Sequence, residues 1–369
     1  MPRVRRTVAV LAVVLAAAAC TGDGDADPAR RSGSDGGPAL LGTVDLDAAV
    51  GGDARLLDLA APPGGDPVAL LGDGGTRGWL VRVGSGEDGP TATTLLELPA
   101  VGDDAELTVL ADGSFLVANT SPTTGYQLLT VRPDGQATVT TLGVRPERAA
   151  TALSADGRTL YAALTLPDAG PAQLLAVDLA AGVVSRTAPV VPGGTVTALA
   201  TRPDGGLAAL VDSGGRALLT TYGADLRPVG EPVDLAPDAP VGVPADVDVT
   251  ADGTVVATLH ASDGRELGRL VTVVDGAVAT SVELDGVGDS ALAVAVSPDG
   301  GTAWVPQADL SFPAQLVTVD LATGERVSAV SLCDGAAVLG DVAPLGAGLV
   351  ATGSCVDGDG PQATAFLVG

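Results

Sequence analysis

The side chains that could do chemistry are few in kind. The chain has one histidine, His260, and its basic residues are all arginines. A two-histidine metal site is therefore excluded, and a cation site would have to consist of carboxylates. Asp246 and Asp248 lie in one predicted strand and Asp103 in another, from which their carboxylates could hold a cation together. The sequence leaves open whether a metal binds there.

A catalytic role for these residues finds little further support. His260 could be the base of a nucleophile triad, but no serine stands in a G-x-S-x-G elbow. A single histidine in a loop is more often an ordinary surface residue. The G-x-G-x-x-G match at 84–89 precedes a strand instead of opening a helix, so it predicts no phosphate site. No catalytic residue and no cofactor are predicted.

The elements that must position these residues come from a repeat. A short apolar run, a turn with glycine and a second apolar run recur at intervals of 44 to 48 residues. A period of about 40 to 50 residues is typical of a four-stranded propeller blade. Five of the turns read Asp-Gly. The turn glycines are Gly65, Gly113, Gly157, Gly205, Gly253, Gly300 and Gly346.

The repeat predicts an all-β chain, a seven-bladed β-propeller with four strands in each blade. The seventh repeat lacks a fourth strand, and the segment 40–46 is a strand without a blade. If this N-terminal strand joins the outer edge of the last blade, it closes the ring and removes an open edge. Two alternatives are a six-bladed ring with a loose hairpin and a β-sandwich, which seldom keeps one period over seven units.

Two of the turns show a family resemblance. The VDLAAG turn at 177–182 and the VDLATG turn at 319–324 resemble the turn of the YVTN family of bacterial propeller repeats. The ADG and PDG turns resemble those of WD40-like repeats. The resemblance spans residues 40–369 and implies a propeller, but no substrate. Lactonases and quinone-linked dehydrogenases are the propeller enzymes to consider, and their channel residues are not identifiable here.

The N-terminal residues read as a targeting segment. Residues 1–19 combine an arginine-rich start with a short apolar run, typical of a signal peptide. The sequence AAAC at 17–20 resembles the lipobox of bacterial lipoproteins, which implies a lipid on Cys20 and attachment to the outer face of the cell membrane. An ordinary secretory peptide is the alternative. Residues 20–39 are rich in Gly, Asp and Ser and predict a flexible tether before the propeller domain at 40–369.

The two remaining cysteines are expected to pair. Outside the cytoplasm, Cys333 and Cys355 would usually oxidise to a disulfide. The bond would staple the loops of blades six and seven and contribute about 3 kcal/mol. Two buried free thiols are the alternative.

The charge and the loops indicate the class of partner. A net charge of −26 disfavours nucleic acid and tolerates cationic partners. The irregular loops collect on one face, which carries Tyr126 and Phe312 besides the acids and His260, and varied loops on a rigid scaffold often bind. The alternative is that these acids are simply solvated.

The sequence therefore predicts a monomeric, membrane-tethered extracytoplasmic lipoprotein whose propeller binds a protein, an envelope component or a small ligand. A propeller enzyme, either a lactonase-like hydrolase or a quinone-linked dehydrogenase, is the alternative function.

Overall fold

The β-branched and aliphatic runs form seven four-stranded antiparallel sheets, the blades of a seven-bladed β-propeller. The predicted fold class is confirmed. The structure is a computed structural model, and it describes residues 38–369 except 63–64, 75–76, 87–88, 100, 103, 122–123, 168–170, 238–241, 262–266, 288–292, 310–311, 336 and 358–359.

The first four blades follow one another along the chain, and in each the first strand is innermost. Blade 1 consists of β2 Arg55–Ala60, β3 Val68–Gly72, β4 Arg77–Gly86 and β5 Gly89–Pro99. Blade 2 consists of β6 Glu106–Val109, β7 Phe115–Ser121, β8 Gly125–Val131 and β9 Ala137–Thr141. Blade 3 consists of β10 Arg148–Leu153, β11 Thr159–Thr165, β12 Gln173–Asp178 and β13 Val183–Pro189. Blade 4 consists of β14 Thr195–Thr201, β15 Leu207–Asp212, β16 Ala217–Tyr222 and β17 Val233–Asp234.

The last three blades complete the ring. Blade 5 consists of β18 Gly242–Val249, β19 Val255–Ala261, β20 Leu267–Val274 and β21 Ala277–Val287. Blade 6 consists of β22 Ala295–Val296, β23 Thr302–Asp309, β24 Phe312–Asp320 and β25 Glu325–Ser331. Blade 7 consists of β26 Ala337–Leu345, β27 Gly348–Asp357 and β28 Gly360–Val368, with β1 Leu40–Asp45 as its outer strand.

The N-terminal strand closes the ring as predicted. Strand β1 pairs antiparallel with β28, and Val44 stands opposite Ala365. The backbones of Ala39 and Gly369 exchange hydrogen bonds of 2.8 and 3.1 Å. The last blade is therefore assembled from both ends of the folded unit, which leaves its outer edge paired.

A short helix, α1 Leu46–Val50, follows the closing strand and was not predicted from the sequence. The Asp45 side chain caps its first turn by accepting a hydrogen bond from the Ala48 N–H, and Gly51 ends it in a left-handed conformation. Leu46 is fully buried against blades 1 and 7. A cap, one buried leucine and a terminal glycine suffice for a single helical turn.

The fourth strand of blade 4 is shorter than the ten-residue run LRPVGEPVDL at 226–235, which the sequence predicts as that strand. Only Val233–Asp234 pair with β16, besides one isolated bridge between Tyr222 and Pro228. Pro228 and Pro232 lack the N–H group that a sheet ladder needs, so the ladder is interrupted there.

The predicted Asp-Gly turns are confirmed. In these turns the glycine N–H donates to the carbonyl three residues earlier, as Gly157 does to Ser154 at 2.8 Å and Gly253 to Thr250 at 2.9 Å. We call the side of the ring with the one–two and three–four turns the turn face. The opposite side, with the two–three and four–one connections, is the loop face.

The core is divided among the interfaces between neighbouring blades. The described residues form seven hydrophobic clusters, built mainly from Ala, Val and Leu. One of them joins blades 1 and 2 through Leu80, Leu107 and Val131. All seven clusters lie within the compact unit 37–369, which therefore has the core it needs to fold by itself.

A carboxylate-lined cavity on the propeller axis

Four carboxyl groups from four blades line one cavity where the innermost strands meet. Asp58 comes from β2, Glu106 from β6, Asp246 from β18 and Asp341 from β26. The cavity measures about 280 Å³, and none of the described residues that line it is basic. Hydroxyl groups complete the polar wall, from Thr108, Thr151 and Thr197.

Each of these carboxylates reaches across to the next blade. Oδ2 of Asp58 accepts a 2.5 Å hydrogen bond from the Leu107 N–H, and Oδ2 of Asp246 accepts one of 2.9 Å from the Val294 N–H. In each case the acceptor lies on one innermost strand, and the donor lies on the next innermost strand or directly before it. The acids therefore join neighbouring blades at the axis.

Glu106 and Asp248 follow the same rule. Oε2 of Glu106 accepts hydrogen bonds from the Thr151 N–H at 2.7 Å and from its hydroxyl at 2.5 Å. Oδ2 of Asp248 accepts from the Val296 N–H at 2.9 Å. A carboxylate hydrogen-bonded to backbone N–H groups is a strong acceptor, so these contacts help to fix the register of one blade against the next.

Asp341 makes a different contact at the seam where blade 7 meets blade 1. Its carboxyl group hydrogen-bonds the carboxyl of Asp58, and the Leu59 backbone also bonds to it. Asp341 lies in a bulge of β26, between the paired residues Leu339 and Val342, which turns it towards the axis. Two carboxyl groups can share a hydrogen bond only if one keeps a proton, so this pair holds a proton at the ring closure.

The surroundings make these acids weak. Removal from bulk water raises the pKa of Asp58, Glu106 and Asp246 to about 7 in each case. Hydrogen bonds oppose the rise in pKa, from backbone N–H groups, from the Thr151 hydroxyl to Glu106 and from the Asp341 carboxyl to Asp58, whereas the charges of nearby carboxylates add to it. Burial also raises the pKa of Asp341 well above its usual value, with the Asp58 charge as the second cause. The cavity is thus partly protonated near neutral pH.

Unpartnered polar atoms lie at the cavity and towards the loop face. The Thr197 hydroxyl, on the cavity wall, is buried and makes no hydrogen bond. Nδ1 of His260 in β19 and Nε2 of Gln307 in β23 are likewise buried and make no hydrogen bond. Gln307 is 5% exposed. A buried polar group without a partner costs about 1–3 kcal/mol, and these three are among eight such side-chain atoms in the described residues.

His260 and Gln307 face the same interface. Val256 and Val305 pack in the cluster between blades 5 and 6. Alternate residues of a strand point the same way, so His260, four residues after Val256, and Gln307, two after Val305, project into that interface nearer the loop face. Both side chains therefore stand on the loop-face side of Asp246.

The residues singled out from the sequence are distributed unevenly. Asp246 lines the cavity, and Asp248 lies one step along the same strand face. Tyr126 was expected in a surface loop but lies in β8 with 1% of its area exposed, and burial raises the pKa of its hydroxyl well above its usual value. Phe312 begins β24, with its side chain outside the described residues, and Asp103 also lies outside them.

Asp58, Glu106 and Asp341 were not predicted from the sequence. A periodic signal existed: an acid followed by an aliphatic residue occurs at Asp58, Glu106, Asp246 and Asp341, separated by whole blade periods. In blade 2 the innermost strand begins at Glu106, so that residue provides the carboxylate at the axis there.

The predicted disulfide is confirmed. Cys333 and Cys355 are bonded, with their Cα atoms 6.0 Å apart. Cys333 follows the last strand of blade 6, and Cys355 lies in the second strand of blade 7. The bond therefore ties these two blades together.

Neither a metal site nor a membrane-spanning helix is found among the described residues. There, no group of three His, Cys, Asp or Glu side chains is arranged to hold a metal ion. The acids of the cavity come from four separate blades and do not converge on one point. Within the same described residues, no helix has the length and apolar character needed to cross a membrane.

Solved structures with the same architecture support the fold. No family model matches the sequence, and no curated protein matches it. Hydrazine synthase of Kuenenia stuttgartiensis superposes with a TM-score of 0.61 at 16% identity, covering 80% of this chain and 92% of that one. A candidate 6-phosphogluconolactonase from Bacteroides uniformis gives 0.57 at 15% identity, covering 75% and 85%. The C-terminal WD40 domain of Sif2 gives 0.55 at 12% identity, covering 89% and 97%. At such identities the likeness concerns the fold alone, and it agrees with a seven-bladed β-propeller.

Proposed function

We propose that this chain is a membrane-tethered, extracytoplasmic binding protein whose propeller takes a cationic ligand on its axis. The observation that carries the proposal is the cavity with Asp58, Glu106, Asp246 and Asp341 on its wall, where none of the described lining residues is basic. A ligand with one or more ammonium groups would supply the missing positive charge.

The unpartnered atoms add a second requirement. The Thr197 hydroxyl would gain a hydrogen bond from a polar ligand in this cavity, whereas Nδ1 of His260 and Nε2 of Gln307 lie in the interface between blades 5 and 6 and do not line it. Because the acids are spread over four blades, an extended organic cation fits them better than a single metal ion. We therefore expect a ligand with separated ammonium groups and with hydroxyl or amide groups.

The location rests on the N-terminal sequence. Residues 1–37, with Cys20, lie outside the described residues, so the signal peptide, the lipid and the tether remain predictions. Labelling cells with a palmitate analogue and comparing the wild type with Cys20→Ser tests them. Label on the wild type alone, in the membrane fraction, supports the anchor. Equal labelling of both, or none on either, rejects it.

Calorimetric titration of residues 37–369 with 1,4-diaminobutane and spermidine tests the binding proposal. We expect saturable binding that tightens from about pH 6 to about pH 8, because the cation binds the ionised carboxylates. Asp246→Asn should weaken it about tenfold. Glu97→Gln, the same change of charge on the exposed outer strand β5, should leave it unchanged. Equal losses in both variants would mean a diffuse charge effect, and no binding would reject the proposal.

A second candidate is a propeller hydrolase, favoured by the hydrogen-bonded pair of Asp58 and Asp341. Two carboxyl groups that share a proton can act as acid and base in one reaction. The similar candidate 6-phosphogluconolactonase makes lactones the first substrates to try. Hydrolysis of glucono-δ-lactone that Asp341→Asn abolishes in a folded protein would favour this candidate, and the absence of turnover would favour the binding role.

A further inference from the structure

A groove on the turn face, remote from the axial acids, has a different chemistry. It lies where the interface between blades 1 and 2 opens to solvent, and it measures about 310 Å³. Leu80 and Val131 form a buried floor, and Leu95, Leu96 and Phe115 are partly exposed above it. Phe115 is one of three phenylalanines in the chain. The groove is therefore an uncovered end of a hydrophobic cluster, large enough for a small ligand.

An exposed arginine stands on the wall of this groove. Arg82 follows Leu80 by two residues on β4, so both side chains point towards blade 2. Arg82 is exposed, and within the described chain it has no ion pair or hydrogen bond through its guanidinium.

A second arginine lines the groove from the side of blade 2. Arg132 begins the turn after β8, and its guanidinium donates a 3.4 Å hydrogen bond to Oε1 of Gln136. Asp134 also lines the groove, and its Oδ1 accepts from the Gln136 N–H. The lining thus carries two guanidinium groups and the Asp134 carboxylate, and the charge of Arg132 also acts on the nearby carboxylate of Asp112.

An equivalent groove elsewhere in the propeller separates the features that come from the fold from those that come from the local sequence. Between blades 4 and 5, a groove of about 460 Å³ is built from the same strands and turns. Thr221 there stands where Arg82 stands, two residues after an inward leucine of the third strand. Its rim carries Glu231, Asp252 and Asp275 along with Arg202, which pairs with Asp204. The first groove therefore differs from this one through its sequence, with Arg82 in place of Thr221 and one acid in its lining instead of three.

We propose that the groove between blades 1 and 2 binds a small amphiphilic carboxylate, an acid with an unbranched hydrocarbon chain. The chain would cover Leu95, Leu96 and Phe115, and the carboxylate would pair with Arg82 and Arg132. An apolar floor beside two guanidinium groups selects against cations and against strongly hydrated anions. This site is independent of the axial cavity.

The test is calorimetric titration of residues 37–369 with decanoate, compared with decanol and decylammonium. We expect decanoate to bind at one site and the other two probes at least about tenfold more weakly. Arg82→Thr, which copies the blade 4 groove, should weaken decanoate about tenfold and leave decanol unchanged. Arg132→Gln should act in the same direction. Arg227→Thr, on an exposed arginine of blade 4, is the control and should change nothing.

Three results would overturn the proposal. They are no saturable binding of decanoate, equal binding of decanoate and decanol, and equal losses in Arg82→Thr and Arg227→Thr. Thermal melting of each variant checks the fold, and threonine suits the exposed strand position of Arg82. Diaminobutane binding on the axis should be the same in Arg82→Thr and the wild type, so the two sites can fail separately.

Discussion

Raising the pH from about 5 to about 8 is expected to destabilise the propeller, because folding holds protons on its axial acids. Asp246 shows why stability should fall as the pH rises. Its usual pKa is 3.8 and its pKa in the fold is about 7. Its contribution to stability is fully present below pH 3.8, where both states are protonated. It is lost as the pH rises to about 7, because the unfolded chain gives up the proton that the folded chain keeps.

The size of the change in the free energy of unfolding follows from the pKa shift of Asp246. One pKa unit corresponds to about 1.4 kcal/mol, so between about pH 5 and about pH 7 Asp246 alone removes about 3 kcal/mol from the free energy of unfolding. Asp58 and Glu106 change in the same direction, and their contributions are coupled through the shared cavity. Exposed turn acids such as Asp299 have lowered pKa values and weaken the fold only in strong acid. Stability should therefore be greatest in mildly acidic solution.

Asp246→Asn isolates one of these contributions. The amide keeps an oxygen that can accept the Val294 N–H but has no proton to lose. Urea unfolding of the wild type and the variant at about pH 5 and about pH 8 measures the difference. At the higher pH the variant should gain about 3 kcal/mol relative to the wild type, compared with the lower pH. Glu97→Gln, at the exposed outer strand, should show no such gain.

One result would refute this reasoning. If the difference in unfolding free energy between Asp246→Asn and the wild type is the same at both pH values, Asp246 titrates alike in the folded and unfolded chain. The axial cavity would then be as well solvated as bulk water, and protons would not be held there.

Three further substitutions test the fold. Gly125→Ala should cost about 3 kcal/mol or more in thermal or urea unfolding, because Gly125 has φ of 85° and a Cβ there would overlap the Val144 carbonyl oxygen. Replacing Cys333 and Cys355 by serine should cost about 3 kcal/mol, and a reducing agent should change the wild type alone. At the ring closure, the Asp47 carboxylate accepts hydrogen bonds from two backbone N–H groups that belong to separate blades. Asp47→Ala should therefore lower the free energy of unfolding by about 2 kcal/mol, and Asp47→Asn is the comparison.

The blade count, the turns and the ring closure could be predicted because their signals are local and periodic. Gly157 and its equivalents mark one turn per blade, and the missing last strand points to the N-terminal segment. Helix α1 has no such repeat, since it depends on the Asp45 cap and the burial of Leu46. The repeating pattern of apolar runs and turns cannot reveal a helix N-cap that occurs once in the chain.

The site was predictable only in part. Asp246 was predicted and Asp341 was missed, although a bulge lies beside each of them, between Pro244 and Asp246 and between Leu339 and Val342. A bulge changes which side chains face the axis, and the sequence pattern does not show where one falls. Tyr126 looked like a loop residue because its neighbours are turn formers, yet it pairs opposite Thr120 in blade 2 and is buried. In both cases the pairing with the neighbouring strand decides where the side chain points.

The count of protons released when 1,4-diaminobutane binds residues 37–369 tests the central claim most directly. Calorimetry near pH 7 in buffers of different ionisation enthalpy gives that number. The account predicts a release of about one proton, since a cation must displace protons from acids whose pKa is about 7, and a smaller release in Asp246→Asn. Binding without proton release, or no binding at all, would contradict it.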